Sequence, residues 1–414
     1  MMKNFHLLFF TFILSTSFTG CENNKIEEQP MTPKTIELTP ASEMVISGSN
    51  RFGIDLFTRV ALDETRNLTL SPLSASAALT MLLNGTSGET FSQLSTALGY
   101  PETMSIEEIN LAYKSLVSQL LAADPVVELA LANAMFYRQD FHVKRNFVQA
   151  MESDFDATIK GLDFTQQSAV DAINKWASDN TKGKIPRVID NIDPLMRLFL
   201  MNALYFKGNW INAFDKSQTS NMPFFLNDNS MIEVPTMSGK FMVRSIFNDR
   251  YHAVELPYGR GNFSMIVVVP QNQDLKSFLR YFTPSTWDLI TSAIDAQKAE
   301  TSIEIYLPRF QYDFNKTLNQ PLKDMGIINA FDPNLADLSG ISDVRDLFVH
   351  FVNQNTHIEV NEEGTTAAAV TTIGIGVTSV GPPPFAANRP FLFFIRERTT
   401  NTLMFAGQVL NPLD

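Results

Sequence analysis

From Gly364 to Gly381 the chain reads GTTAAAVTTIGIGVTSVG, without a single charged residue. Glu362 and Glu363 precede this run and Pro382–Pro384 follow it. Tiny and β-branched residues in such density have the make-up of a strand. Extended, the segment would place Thr365, Ala367, Ala369, Thr371, Ile373 and Ile375 on one face, and Thr366, Ala368, Val370, Thr372, Gly374 and Gly376 on the other. The first face is small at its start and bulky later, which suits insertion between packed neighbours. Gly364 supplies a turning point. The acidic pair before it is expected to end the preceding strand in solvent. The proline run has to be an exposed or edge stretch. A segment that can be strand and yet is fixed to a stiff loop is either a native central strand or a mobile element. Both options require a sheet-containing fold with room for this strand.

The rest of the chain sets the context. Of its 414 residues, 44% are hydrophobic and 18% charged, enough apolar material for a sizeable core. A net charge of −12 with no basic stripe leaves nothing to neutralise phosphates, so nucleic acid is not an expected partner. The 33 phenylalanines are scattered through periodic segments, as core residues are.

The start of the chain, MMKNFHLLFFTFILSTSFTGC, has an early lysine, an apolar run from Leu7 to Leu14 and small residues before Cys21. The run is too short to span a bilayer and has the form of a secretory signal. Phe18-Thr19-Gly20 ahead of Cys21 resembles a bacterial lipoprotein processing site, with Phe18 where leucine is usual. The alternative is an incidental cysteine in a plain signal peptide. The expectation is a signal peptide over residues 1–20 and lipidation of Cys21. The protein is then exported and anchored to a bacterial membrane, facing the periplasm or the cell surface. Cys21 is the only cysteine, so its lipidation leaves neither thiol nor disulfide, and packing alone must hold the fold. Residues 21–40 are polar, contain prolines and show no helical stripe, and are expected to form a tether. Residues 41–414 contain no low-complexity break, repeat or second linker, which predicts one domain.

Within that domain, helix and strand signals alternate without βαβ regularity. Ser105-Ile-Glu-Glu108 opens a helix as a capping box, and Ile109, Tyr113, Leu116 and Leu120 fall on one of its faces. Val170, Ile173 and Ala177 mark another helix. FSMIVVVP (Phe263 to Pro270) is a buried-strand run, and TSIEIYLPRF (Thr301 to Phe310) alternates as a half-buried strand does. This mixture predicts an α+β fold.

Signatures of catalysis are missing. The chain has no GxSxG elbow, HExxH, P-loop or CxxC pair. Gly374-Ile-Gly376 lacks the third glycine and the following helix of a dinucleotide site. None of the five histidines stands at metal-ligand spacing from another. Glu362 and Glu363 are too close to act on opposite faces of a sugar. Neither an enzyme, a cofactor nor a metal is expected.

Several motifs together carry a resemblance. VNEEGTTAAAVT (Val360 to Thr371) closely resembles the hinge of the serpins. LSPLSASAALTMLLNGTSGET (Leu70 to Thr90), LANAMFY (Leu131 to Tyr137), INKWASDNTKGKI (Ile173 to Ile185), MNALYFKGNW (Met201 to Trp210) and VELPYG (Val254 to Gly259) follow that family's order. LPRF (Leu307 to Phe310), NRPFLFFI (Asn388 to Ile395) and FAGQVLNP (Phe405 to Pro412) complete it. The resemblance implies the serpin fold: three β-sheets, eight or nine helices and an exposed reactive-centre loop. It also implies a target serine protease as covalent partner and a monomeric inhibitor. The protease attacks the loop, an acyl-enzyme forms, and the hinge inserts into the main sheet as a new strand. The hinge so implied is Glu362, Glu363, Gly364, Thr365, Thr366, Ala367, Ala368, Ala369, Val370 and Thr371. Thr366 stands where the family usually has glutamate, at an outward position. About ten ladder hydrogen bonds at about 1 kcal/mol each and burial of Ile373 and Ile375 at about 2 kcal/mol each put insertion at about 10–15 kcal/mol. A non-inhibitory serpin, acting as a binding or structural module, is the alternative; such relatives tend to carry charged or bulky hinge residues.

The family's polar cluster beneath the main sheet matches Ser71, Ser74 and Asn202, with Gln354 where histidine is usual. Glutamine donates and accepts hydrogen bonds without titrating. Family spacing from Glu362 puts the scissile bond at Thr378-Ser379. Counting back from Pro390 gives Ser379-Val380, and Val377-Thr378 is a second candidate. Small and β-branched residues there suit the shallow pockets of elastase- or subtilisin-like enzymes, with cysteine proteases as a further class. Trypsin-like enzymes are not expected, because neither arginine nor lysine occurs between Gly364 and Ala387.

Overall fold

The capping box at Ser105 forms as the spacing predicts: the serine side chain accepts from the Glu108 amide, and the Glu108 carboxylate accepts from the Ser105 amide. The helix it starts buries Ile109, Tyr113, Leu116 and Leu120. In this computed structural model, residues 32–344, 347–364 and 382–414 are described. They contain nine α-helices: α1 Pro40–Asp63, α2 Pro72–Leu83, α3 Gly88–Ala97, α4 Ile106–Leu121, α5 Arg145–Phe155, α6 Gln167–Asn180, α7 Leu275–Leu279, α8 Pro284–Asp295 and α9 Asn319–Asp324. The first strands are β1 Leu68–Leu70, β2 Glu128–Arg138, β3 Thr158–Leu162, β4 Leu198–Lys207, β5 Ser220–Phe225, β6 Met231–Phe247 and β7 Tyr251–Pro257. The rest are β8 Phe263–Pro270, β9 Thr301–Pro308, β10 Phe310–Thr317, β11 Asn353–Val360, β12 Phe385–Ala386, β13 Phe391–Glu397 and β14 Thr402–Val409.

Among the described residues these strands make three sheets. The largest has the order β1-β14-β13-β8-β7-β6-β9-β12, with β5 also paired to β6. Its middle explains the apolar run of β8: every residue from Phe263 to Pro270 is buried, as is every residue of β13 and β14. Phe394 of β13 meets Phe57 of α1, Trp287 of α8 and Phe282, so aromatic packing closes the face of the sheet toward the helices. β9 keeps its alternation only in part, with Thr301, Ser302 and Glu304 exposed and Ile303, Ile305 and Leu307 buried. The other two sheets are small: β3-β2-β4 and β10-β11.

From Lys34 on, the residues ahead of α1, expected to belong to a tether, are hydrogen-bonded to the domain. Two side-chain amides hold this stretch. Asn262 accepts from the Lys34 amide and donates to the Lys34 carbonyl, each at 2.7 Å. Gln119 of α4 treats Glu37 in the same way, at 2.8 and 2.9 Å. Ile36 between them is buried, and Thr39 caps α1. The polar composition of residues 32–39 conceals this, because backbone groups make the hydrogen bonds and Ile36 is the one fully buried apolar side chain among them.

Candidate functional site

Among the described residues, β4 and β11 are each paired on one side only. β4 runs antiparallel to β2, with Asn202 opposite Asn133, and β11 runs antiparallel to β10, with Gln354 opposite Lys316. No ladder joins β4 to β11 among the described residues. Between them lies a cavity of about 440 Å³, walled by Asn202 and Leu204 of β4 and by Gln354 and Thr356 of β11. Ser71, Ala75 and Leu79 of α2 line it as well. Unpaired strand edges are templates for another strand.

Ser71, Ser74 and Gln354 meet at this cavity. The Ser71 hydroxyl caps α2 by accepting from the Ser74 amide at 3.2 Å. The Gln354 side chain accepts from the Ser71 amide at 3.0 Å and donates to the Ser71 carbonyl at 2.7 Å. One glutamine thus fastens β11 to the start of α2. Asn202 stands outside this network. It donates to Asn133 Oδ1 at 2.7 Å, and Asn133 in turn donates to the Phe155 carbonyl. The Asn202 Oδ1 atom is buried and has no partner among the described residues. His357 is a strand residue of β11, with Nδ1 2.6 Å from Asp313 on β10.

At the end of β11 the chain turns back on itself through residues 361–364. Asn361 and Gly364 exchange amide-to-carbonyl hydrogen bonds, both at 3.1 Å. Gly364 has φ +117°, a conformation that favours glycine. A Cβ at this position would lie 2.5 Å from the Gly208 carbonyl oxygen and 2.6 Å from the Trp210 nitrogen. The turn is fixed to the segment after β4 by the Trp210 amide donating to the Glu363 carbonyl (3.0 Å) and the Phe214 amide to the Glu362 carbonyl (2.8 Å). The Trp210 indole donates to the Asn361 carbonyl and stacks on Tyr258 at 4.3 Å.

The acidic pair does not end the strand in solvent. Glu362 is buried, its carboxylate held by Arg309 (Nε at 2.6 Å, with Nη2 also in contact) and by the Thr219 hydroxyl. Glu363 pairs with Lys216. Burial alone would push the Glu362 carboxyl up, but the hydrogen bonds from Arg309 and Thr219 prevail and hold it below its ordinary value. With the folded pKa below the unfolded one, this stabilisation is complete above the ordinary glutamate range. It is lost as pH falls through the folded value. Glu362→Gln should therefore lower stability by about 2 kcal/mol at about pH 7, and by much less at about pH 3. Melting temperatures of both proteins at the two pH values test this; an equal difference at both would mean that the charge is not what matters.

Thr365–Thr371 of the hinge, the scissile candidates Val377, Thr378, Ser379 and Val380, and Cys21 all lie outside the described residues. The partners of the hinge glutamates, Arg309, Thr219 and Lys216, were not singled out from the sequence. Arg309 lies inside the LPRF motif and Trp210 inside MNALYFKGNW, so position within a motif was the one available signal.

Two strand edges beside one cavity, with a glycine turn fastened where both strands end, define the site of an α+β fold. The profile of the serpins, described as serine protease inhibitors, matches residues 47–412. This chain belongs to the serpin family. Leukocyte elastase inhibitor of Sus scrofa is 33% identical over 386 residues, covering 89% of this chain and all of that protein. Iripin-3 of Ixodes ricinus is 34% identical, covering 87% of this chain and 93% of that one. The crystal structure of tengpin, a thermophilic serpin in its native state, superposes with a TM-score of 0.80 at 28% identity, over 92% of this chain and 97% of that one.

Proposed function

We propose that this chain is an irreversible suicide-substrate inhibitor of elastase- or subtilisin-like serine proteases, with cysteine proteases as a further class. The protease serine attacks the Thr378 carbonyl, the Ser379 amine leaves, and an acyl-enzyme ester remains. Entry of residues 365–376 between β4 and β11 then competes with hydrolysis of that ester by water. The observation that carries this reading is that no ladder joins β4 to β11 among the described residues, with Gly364 fastened just past the ends of both strands. The Asn202 oxygen, without a partner among the described residues, supports it, because a buried acceptor of that kind costs about 1–3 kcal/mol until a donor arrives. The relatives named leukocyte elastase inhibitor support an elastase-like target. We place the protein as an exported monomer anchored through lipidated Cys21, for which an acyl-chain mass on the mature N-terminus is the check.

Mixing the protein with an elastase, a subtilisin and a cathepsin tests the inhibitor reading. A complex that survives SDS is expected with at least one of them. Cleaved chain alone with all three would assign the protein to the non-inhibitory serpins. Mass spectrometry of the released C-terminal fragment separates Thr378-Ser379 from Ser379-Val380.

A further inference from the structure

Between Lys114 and Glu128 the only charged residue is Asp124, and it is buried. Its carboxylate accepts from the Val126 amide (3.1 Å) and from the Arg260 amide of the β7–β8 turn (2.6 Å), so the turn from α4 to β2 directs its one charge inward. What that turn leaves in solvent is apolar: Leu121 and Val126 are 43% and 55% exposed, and Ala122 and Pro125 between them are exposed as well. The residues ahead of α1 meet the domain at this same place. Lys34 Nζ donates to the Ala122 carbonyl at 3.3 Å, Gln119 holds Glu37, and Asn262 holds the Lys34 backbone. The β7–β8 turn lies close against Asp124: a Cβ at Gly259 would stand 2.4 Å from its Oδ2. The entering chain, the α4–β2 turn and the β7–β8 turn are thus tied into one platform by side-chain-to-backbone hydrogen bonds.

We propose that Leu121, Ala122, Pro125 and Val126 form a lipid-contact surface, which lays the domain on the bilayer that holds the Cys21 anchor. The inference rests on the anchor reading above. Residues 22–33 separate Lys34 from Cys21, about 45 Å at full extension, so the patch stands where the chain from the anchor arrives and within reach of the bilayer. A polar tether alone leaves a domain free to turn. Single exposed apolar residues need no partner, but neighbours held in one fixed turn make a patch that gains by leaving water. The inward aspartate fits the same purpose, because a carboxylate on this surface would have to be stripped of water at the lipid boundary. The contact is expected at the depth of an interfacial one, about 5–10 Å into the boundary between headgroups and acyl chains.

Full-length lipidated protein in phosphatidylcholine vesicles, brominated at the upper acyl chain, reads this contact. With Cys21 acylated, Val126→Cys offers a single thiol for an environment-sensitive fluorophore, and Leu195→Cys serves as the control. Leu195 is exposed and lies just before the start of β4, whereas the α4–β2 turn adjoins the far end of that strand, where Glu128 stands opposite Lys207, about 30 Å away. The bromines should remove most of the fluorescence at position 126 and leave that at 195 unchanged. Adding Leu121→Glu should restore the fluorescence at 126 while the protein still floats with the vesicles on a density gradient. Equal quenching at 126 and 195 on floating protein overturns the lipid contact and leaves the anchor standing. Fluorescence at 126 that the bromines do not change, but that shifts as more protein is loaded per vesicle, assigns the face to a second copy and overturns the lipid contact as well. Protein that does not float overturns the anchor reading, and the contact with it.

Discussion

Thr365→Arg is expected to turn the protein from a trap into a substrate. In the insertion reading, position 365 opens the face that enters between β4 and β11. Placing a guanidinium there buries a charge with no partner, at an effective cost of several kcal/mol. That is a large part of the about 10–15 kcal/mol available from new ladder hydrogen bonds and buried isoleucines. Insertion then slows relative to hydrolysis of the acyl-enzyme, and the protease is released. The number of inhibitor molecules consumed per protease inactivated should rise at least about tenfold, since about 1.4 kcal/mol on the competing step suffices for that. The loop should still be cut at the parental bond. Unchanged stoichiometry with full covalent complex would overturn strand insertion as the mechanism.

The second large effect is expected at Gly364. Replacement by valine puts a branched side chain at φ +117°, against backbone atoms of Gly208, Asn209 and Trp210 that cannot rotate aside. The turn must leave the segment after β4, which loosens the Trp210 and Phe214 amide hydrogen bonds and exposes the Glu362–Arg309 pair. A loss of about 3 kcal/mol is expected, from backbone strain and lost hydrogen bonds together. A lower denaturation midpoint in urea is the check. A midpoint equal to that of the parent would mean that the turn has moved at little expense and that its attachment contributes little.

Short-range features were the legible part of this molecule. The capping box at Ser105 and the apolar run of β8 depend on neighbours in the chain, and both formed where expected. Pro382–Pro384 are exposed, as the absence of an amide donor demands. Gly364 was legible as a turn because few other residues tolerate its backbone conformation. The fate of Glu362 was not legible. Two adjacent glutamates before a turn look like solvated charges, and the residues that bury one of them come from positions 219 and 309. Gln354 was matched to its cluster by resemblance, yet nothing local indicates that its amide grips the Ser71 backbone and leaves Asn202 to Asn133. The docking of residues 32–39 was missed for the related reason that backbone groups, invisible to composition, make the contacts.

With no ladder joining β4 to β11 among the described residues, strand entry would also set a competition between molecules. A chain's own segment is tethered beside its cavity at an effective concentration of about 1 mM, whereas a neighbour's segment is present only at the protein's bulk concentration. At about 1 µM the chain's own strand therefore has a lead of about a thousandfold. Confinement to a membrane face would raise the local density of neighbours and shorten that lead. An anchor of the kind proposed at Cys21 would thus work against the solitude on which strand entry within one chain depends.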